Sequence, residues 1–284
     1  MPELPEVQGL VDFLSSRIVD HAVAGVELGS FSVLKTYDPP VTALSGLLVT
    51  SVARHGKFID IDVYGIHFVF HLSRAGWLRW SESLSNTVLR PGRSPIAVRM
   101  RFDDGSGFDL TEAGTQKRLA AYVVRAPSEV PGIASLGPEP LSLTEPDFAA
   151  LLAGRRTQIK GLLRDQSVIA GVGNAYSDEV LHTAKLSPYA VAGSLTEEEV
   201  SRLYLALRAT LETAIAASEG KPAKDLKDAK RAGMQVHGRT GEICPVCGDT
   251  VREVSFADRS MQYCPTCQTG GKILADRRMS RLLK

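Results

Sequence analysis

The four cysteines of the chain fall in two short hooks near the C-terminus, Cys244-Pro-Val-Cys247 and Cys264-Pro-Thr-Cys267, with sixteen residues between them. No other feature restricts the possible fold as tightly. Two Cys-x-x-Cys hooks that close one tetrahedral thiolate shell force the intervening chain, Gly248 to Tyr263, to double back as a hairpin. Two disulfides or four unrelated thiols are the alternatives, and a cytosolic setting disfavours the disulfides. One zinc ion on Cys244, Cys247, Cys264 and Cys267 would leave no coordination position for a catalytic water. Such a metal holds a fold, and the chemistry has to lie elsewhere.

At 284 residues, with 44% hydrophobic and 23% charged, the chain reads as two or three globular domains with sizeable cores. No N-terminal segment has the charged-then-apolar pattern of a signal peptide, and no apolar run spans a bilayer, so a cytoplasmic protein is expected. The net charge of +1 hides an uneven distribution. Residues 221 to 284 carry thirteen Lys and Arg against seven Asp and Glu, a balance of +6, which leaves −5 for the remainder. A basic tail of this kind fits a nucleic-acid partner or a merely solvated surface.

Periodicity divides the chain into an α+β arrangement. Val7, Leu10, Val11, Leu14 and Ile18 recur at helical spacing behind Pro5, which a first turn tolerates. Alternating stretches follow, among them Phe58 to Val63, Phe68 to Leu72 and Ala97 to Phe102, the last before an Asp104-Gly105 turn signal. They predict an antiparallel β-sandwich or barrel to about residue 126, within an N-terminal domain of residues 1–130 that the helix leads. Pro131 to Pro140 breaks both periods, and residues 131–143 are read as a linker. Helices are predicted over Asp147 to Leu152, Gln158 to Arg164 and Ala175 to Ala184, with a longer one capped at Thr196-Glu-Glu-Glu199. Residues 144–237 thus form a helical domain and residues 238–284 a zinc finger. Within the former, residues 219 to 234 lack a period and are expected to be a mobile basic connection.

Four motifs stand in order: Met1-Pro-Glu-Leu-Pro-Glu-Val7, His55-Gly-Lys57-Phe, Asp165-Gln166 through Gly171-Val-Gly-Asn174-Ala-Tyr176, and the cysteine hairpin ending at Gln268. Each has a physical reading. Removal of Met1 would leave Pro2 with a secondary amine, and a terminal amine titrates near 7.7–8.0, so part of it is nucleophilic near neutrality. Glu3 and Glu6 suit either proton transfer or the positive end of a helix. Lys57 is a solvated edge charge or a cation that reaches a phosphate. The Gly171-Val-Gly173 turn between two helices can hold a phosphate oxygen on backbone amides.

Taken together, these motifs resemble the bacterial formamidopyrimidine-DNA glycosylases, the family shared with endonuclease VIII, along essentially the whole chain. The resemblance implies a C-terminal helix–two-turn–helix domain with a four-cysteine zinc β-hairpin, and an active site in the cleft between the two domains. It implies a monomeric enzyme of base excision repair in the bacterial cytoplasm, acting on double-stranded DNA with damaged bases or abasic sites. Pro2 would attack the anomeric carbon, expel the base and form an iminium ion from which the strand is cut by elimination. Glu3, with Glu6 in support, would move the protons, and Lys57 would contact phosphate at the lesion. Asn174 and Arg259 would be phosphate ligands, with Lys160 and Tyr176 beside them, and Glu179 a structural carboxylate near the nucleophile.

The departures from the family concern the substrate. Where 8-oxoguanine glycosylases have His-Leu-Gly-Met with a methionine wedge, this chain has His71-Leu-Ser-Arg74. Lys117 and Leu119 stand nearest the residues that face the orphaned base. The stretch before the zinc hairpin is several residues shorter than in those enzymes. An opened-ring purine, 8-oxoguanine, an oxidised pyrimidine or a bare abasic site all remain open as substrates. A catalytically weak lesion-binding protein and an endonuclease VIII-like preference for pyrimidines are the rival readings.

Overall fold

The computed structural model describes residues 1–85, 87–92, 95–256 and 259–275. Its contacts divide into two compact units, Met1–Leu136 with Ser218–Lys227, and Gly137–Ala217 with the described residues from Asp228 on. The division thus falls inside the Pro131 to Pro140 segment.

In the first unit, α1 (Leu4–Ile18) follows Glu3 as its cap. Then come β1 (Val23–Leu28), β2 (Val49–His55), β3 (Phe58–Val63), β4 (Ile66–His71), β5 (Gly76–Ser81), β6 (Ile96–Phe102), β7 (Gly107–Glu112) and β8 (Ala120–Val124). Among the described residues they form two antiparallel four-stranded sheets, ordered β1-β6-β7-β5 and β2-β3-β4-β8. The period-2 pattern sends Ile59, Ile61 and Val63 of one sheet and Met100, Phe102, Phe108 and Leu110 of the other into a shared core. Phe70 meets Phe108 across that core with ring centroids 6.1 Å apart. Phe13 of α1 packs edge-on against Trp80 at 5.9 Å. The predicted leading helix and sandwich are therefore present.

The outer face of the β2-β3-β4-β8 sheet is covered by its own chain. A 3-10 turn at Pro127–Glu129 and the short helix α2 (Pro131–Ala134) bring Val130 against Val69 and Val124. A Cβ on Gly132 would come within 2.5 Å of the Phe58 ring, so only glycine lets α2 lie so close.

The second unit contains α3 (Glu145–Leu152), α4 (Ile159–Leu163), α5 (Asn174–Thr183) and most of α6 (Glu197–Ser218). Helix α7 (Leu226–Gly233) follows, then the hairpin β9 (Arg252–Ser255) and β10 (Ser260–Tyr263), and the single turn α8 (Pro265–Thr269). The expected capping box of Thr196 with Glu199 forms, the Glu199 N–H donating to Thr196 Oγ1 at 3.2 Å, and Thr144 makes another with Asp147. No helix among the described residues is long and apolar enough to cross a membrane.

The expectation of a mobile connection over 219 to 234 is corrected. Ala223 and Leu226 are 2% and 0% exposed in the sandwich core, and residues 226 to 233 are helical. A Cβ on Gly9 of α1 would meet Leu226 Cδ2 at 2.9 Å. The sequence pattern conceals this because two apolar residues spaced by three make too short a stripe among lysines. We expect Leu226→Ala to lower the unfolding free energy by about 2–5 kcal/mol, a cavity-forming loss, in chemical denaturation, whereas Lys224→Ala stays within about 0.5 kcal/mol. Equal effects would mean that the segment is only loosely attached.

Candidate active site and nucleic-acid interface

Pro2 and Glu3 are buried at the start of α1, where Glu6 Oε2 accepts the Glu3 N–H at 2.8 Å as the return half of a capping box. Glu6 is 1% exposed, so its carboxylate is engaged in fixing the backbone beside Pro2. Lys57 lies at the second position of the two-residue loop between β2 and β3, after Gly56, whose φ of 55° supplies the turn. Arg54 joins these two features. Its Nε donates to Gln8 Oε1 of α1 at 2.9 Å, and its Nη1 donates to the Gly56 carbonyl at 3.0 Å. The helix that follows Pro2 and the loop that carries Lys57 are thereby tied through one guanidinium. Neither Arg54 nor Gln8 stood out in the sequence, because nothing local marks a contact across 46 residues.

His71 ends β4 and packs its ring 4.8 Å from Phe58. Burial, reinforced by the Lys57 charge, pushes its pKa down to about 4. The Ser73 N–H donates to Nδ1 at 3.2 Å, so the neutral ring carries its proton on Nε2 and offers a donor there. Arg74 is exposed in the loop that follows, where Ser73 adopts a φ of 55°. In the loop after β7, Glu112 Oε1 accepts the N–H groups of Arg118 and Leu119 at 2.8 and 3.0 Å. Lys117 is exposed and its ammonium donates to the Glu112 carbonyl. Leu119 is corrected: at 3% exposed it belongs to the sandwich core and offers no surface to a base.

The second unit holds the Asn174 and Arg259 positions together. Asn174 Nδ2 donates to the Ser260 carbonyl at 2.7 Å, which sets the start of α5 beside the hairpin residue that follows the exposed Arg259. Gln166 braces the preceding turn: its Nε2 donates to the carbonyls of Arg164 and Val172, and its Oε1 accepts the Gly171 N–H. Lys160 and Tyr176, expected beside the phosphate ligands, are 6% and 2% exposed. The Lys160 ammonium donates to Asp178 Oδ1 at 2.6 Å, Ser177 Oγ at 2.8 Å and the Asn174 carbonyl at 3.1 Å, three acceptors for its three protons. Its role in this arrangement is internal. Asp178 Oδ2 in turn accepts from His237 Nδ1 at 2.7 Å, a relay that the sequence did not announce.

Glu179 is buried and accepts the backbone N–H groups of Gln235, Val236 and His237 at 2.7, 3.0 and 2.7 Å. Burial pushes its carboxyl up from the ordinary value while those three donors pull the other way. The carboxylate thus organises the chain just after α7.

The cysteines converge as their spacing predicts. Cys244 and Cys267 have sulfurs 3.9 Å apart, and those of Cys247 and Cys264 are 3.3 Å apart. Zinc–sulfur bonds of about 2.3 Å give a tetrahedral sulfur–sulfur edge of about 3.8 Å. These separations bracket that edge and are far from a disulfide bond of about 2.05 Å. Burial pushes the Cys264 thiol up to about 11 and raises that of Cys267, so a cation is needed before these sulfurs become thiolates together. His182 of α5 is buried at 3% exposed, places Nε2 3.3 Å from Cys244 Sγ, and has its pKa lowered by burial.

An N-terminal sandwich, a helix–two-turn–helix unit and a four-cysteine hairpin in one chain define a class, the zinc-bearing DNA glycosylases. Family models match each part: the formamidopyrimidine-DNA glycosylase N-terminal domain at residues 1–119, its H2TH domain at 136–224, and the zinc finger found in FPG and IleRS at 241–270. The formamidopyrimidine-DNA glycosylase of Symbiobacterium thermophilum is 34% identical over 94% of this chain and 89% of its own length. An uncharacterized formamidopyrimidine-DNA glycosylase-like protein of Mycobacterium tuberculosis is 60% identical over 150 residues, 53% of this chain and 95% of that one. The Lactococcus lactis formamidopyrimidine-DNA glycosylase, solved non-covalently bound to DNA containing an AP site, superposes with a TM-score of 0.80 at 26% identity, covering 94% of this chain and 99% of that one. The chain belongs to the formamidopyrimidine-DNA glycosylase family.

The lowered His71 pKa has a definite sign in stability. The unfolded chain protonates this histidine near 6.5 and the folded chain only near 4, so between these values the unfolded state holds more protons. Its contribution is intact above about pH 6.5 and is lost as the pH falls towards 4. We expect His71→Gln to flatten that portion of the unfolding midpoint plotted against pH. A curve parallel to that of the parent protein would assign the dependence to another group.

Proposed function

We propose that the protein is a bifunctional DNA glycosylase and abasic-site lyase of base excision repair, acting on double-stranded DNA in the bacterial cytoplasm. The observation that carries this reading is the Gln8–Arg54–Gly56 bridge, which fixes the nucleophile-bearing helix to the Lys57 loop.

Loss of Met1 frees the Pro2 nitrogen. Its lone pair attacks the anomeric carbon of a nucleotide turned out of the stack, the bond from that carbon to the base breaks with its electron pair going to the base, and the departing base takes up the proton that the Pro2 nitrogen releases. Glu3 gives a proton to the sugar ring oxygen as the ring opens, and an iminium ion forms between Pro2 and the sugar. The iminium acidifies the neighbouring carbon. Loss of that proton expels the 3′ phosphate and cuts the strand. Lys57 holds lesion phosphate, and His71 offers its Nε2–H as a neutral donor. The exposed Arg259 beside Asn174 provides a bidentate phosphate contact on the second unit. Arg74 meets the disrupted duplex with a cation in place of an apolar wedge, with Lys117 towards the orphaned base, so the opposite-base preference of 8-oxoguanine enzymes does not carry over to this chain. Zinc on the four cysteines keeps the hairpin folded and takes no part in the chemistry.

Borohydride reduction in the presence of an abasic-site duplex tests the proposal, with parallel duplexes carrying 8-oxoguanine, formamidopyrimidine and oxidised pyrimidines. The mature protein should form a stable adduct through Pro2, and the duplex giving most adduct names the preferred lesion. Pro2→Gly should reduce trapping by at least about 100-fold while leaving DNA affinity within a few-fold. Binding should weaken steeply with salt because phosphate contacts dominate. Tight, salt-sensitive binding with no adduct would replace the enzyme reading with that of a lesion-binding protein.

A further inference from the structure

The zinc hairpin has a feature that four cysteines alone do not require. His182 projects from α5 into the cysteine cluster, and its ligating nitrogen lies within 4.8 Å of the sulfurs of Cys244, Cys264 and Cys267, as those lie of one another. The Nε2 to Cys244 Sγ separation is 3.3 Å. Zinc bonds of about 2.0 Å to imidazole nitrogen and 2.3 Å to sulfur give a tetrahedral nitrogen–sulfur edge of about 3.5 Å. The imidazole is therefore at ligand spacing from the Cys244 sulfur, with the sulfurs of Cys264 and Cys267 within 4.8 Å.

The fourth sulfur differs from the rest. Cys244 and Cys264 are buried and Cys267 is half-buried, whereas Cys247 is exposed. An exposed thiolate is the first that oxidants and alkylating reagents reach. Of the five donors, one is vulnerable and one other is held in reserve by a helix.

We infer that His182 is a fifth donor of the zinc centre, which supplies the fourth ligand from the side of Cys244, Cys264 and Cys267 when the Cys247 thiolate is lost. With all four cysteines bound, the Nε2–H donates to the Cys244 sulfur, a second layer that orients the ligand and spreads its charge. After loss of Cys247, Nε2 binds the metal through its lone pair and the ring proton resides on Nδ1. The site then has three thiolates and one imidazole, a common structural set for zinc. The arrangement keeps the hairpin folded, and with it Arg259, after damage to the exposed thiol. It holds whatever the lesion preference or lyase activity of the protein proves to be.

The test is metal binding by the full chain, read with cobalt in place of zinc. Cys247→Ala should retain one tetrahedral cobalt, with sulfur charge-transfer absorption at about three-quarters of the parent intensity, three thiolates replacing four. Cys247→Ala combined with His182→Phe should bind at least about 100-fold more weakly than Cys247→Ala alone. His182→Phe and His182→Asn, each with all four cysteines, should keep the four-thiolate spectrum. Cadmium-113 bound to Cys247→Ala should show scalar coupling to a ring nitrogen of His182, a readout independent of activity and of global stability. Loss of metal from Cys247→Ala to the level of the double variant would overturn the inference, as would retention unaffected by removal of the imidazole. Failure of both single His182 variants to bind cobalt would also overturn it, since the residue would then support the fold alone.

Discussion

Leu4, Leu10, Leu14 and Ile18 are fully removed from water along one side of α1, and a helix so seated cannot slide or rotate without exposing them. Each such side chain contributes about 1.5–3 kcal/mol by its burial. That apolar contact precedes every polar arrangement in the first unit. It sets where the helix begins, and the exchange between Glu3 and Glu6 then holds the backbone beside Pro2. It also presents Gln8 to Arg54, so the hairpin loop bearing Lys57 is registered against the same helix. Hydrogen bonds give direction here, but the apolar face of α1 gives them a fixed place to act.

The second unit solves a different problem, the burial of charge. Lys160 and Asp178 are nearly inaccessible, and either without the other would leave an unpaired ion in a low-dielectric interior. Three acceptors surround the ammonium, and His237 takes the remaining side of the carboxylate. Glu179, one residue on, fastens three consecutive backbone amides. The chain after α7 is consequently held from α5 by two adjacent acids, and the relation between the helix–two-turn–helix element and the hairpin is reinforced at Asn174 and Ser260. A similar device stands in the first unit, where Asp60 lies between His55 and His67 on neighbouring strands as diagonal cross-strand partners.

Much of this was legible in advance. Cysteine spacing specified a metal-bearing hairpin, period-2 alternation specified antiparallel strands without deciding between a sandwich and a barrel, and the Thr196 cap located the longest helix to within a residue. Helices signalled by short segments, such as α4, were recovered because Ile159, Leu162 and Leu163 are all apolar and buried. What escaped was long-range: the burial of Leu119, Lys160 and Tyr176, the helix in the supposed mobile stretch, and the roles of Arg54, Gln8, Asp178, His182 and His237. A lysine looks the same in sequence whether it faces phosphate or a buried carboxylate 18 residues away.

By itself the sequence determined the order of an antiparallel β part, a helical part and a four-cysteine metal hairpin, and the motifs that mark the family. These depend on local periodicity and on spacing, which are readable without a third dimension. Only the tertiary structure decided which charges are spent internally, as those of Lys160 and Asp178 are. That choice depends on burial and on partners far apart in the chain, because a side chain's charge, proton and reach acquire a function only from the groups packed against it.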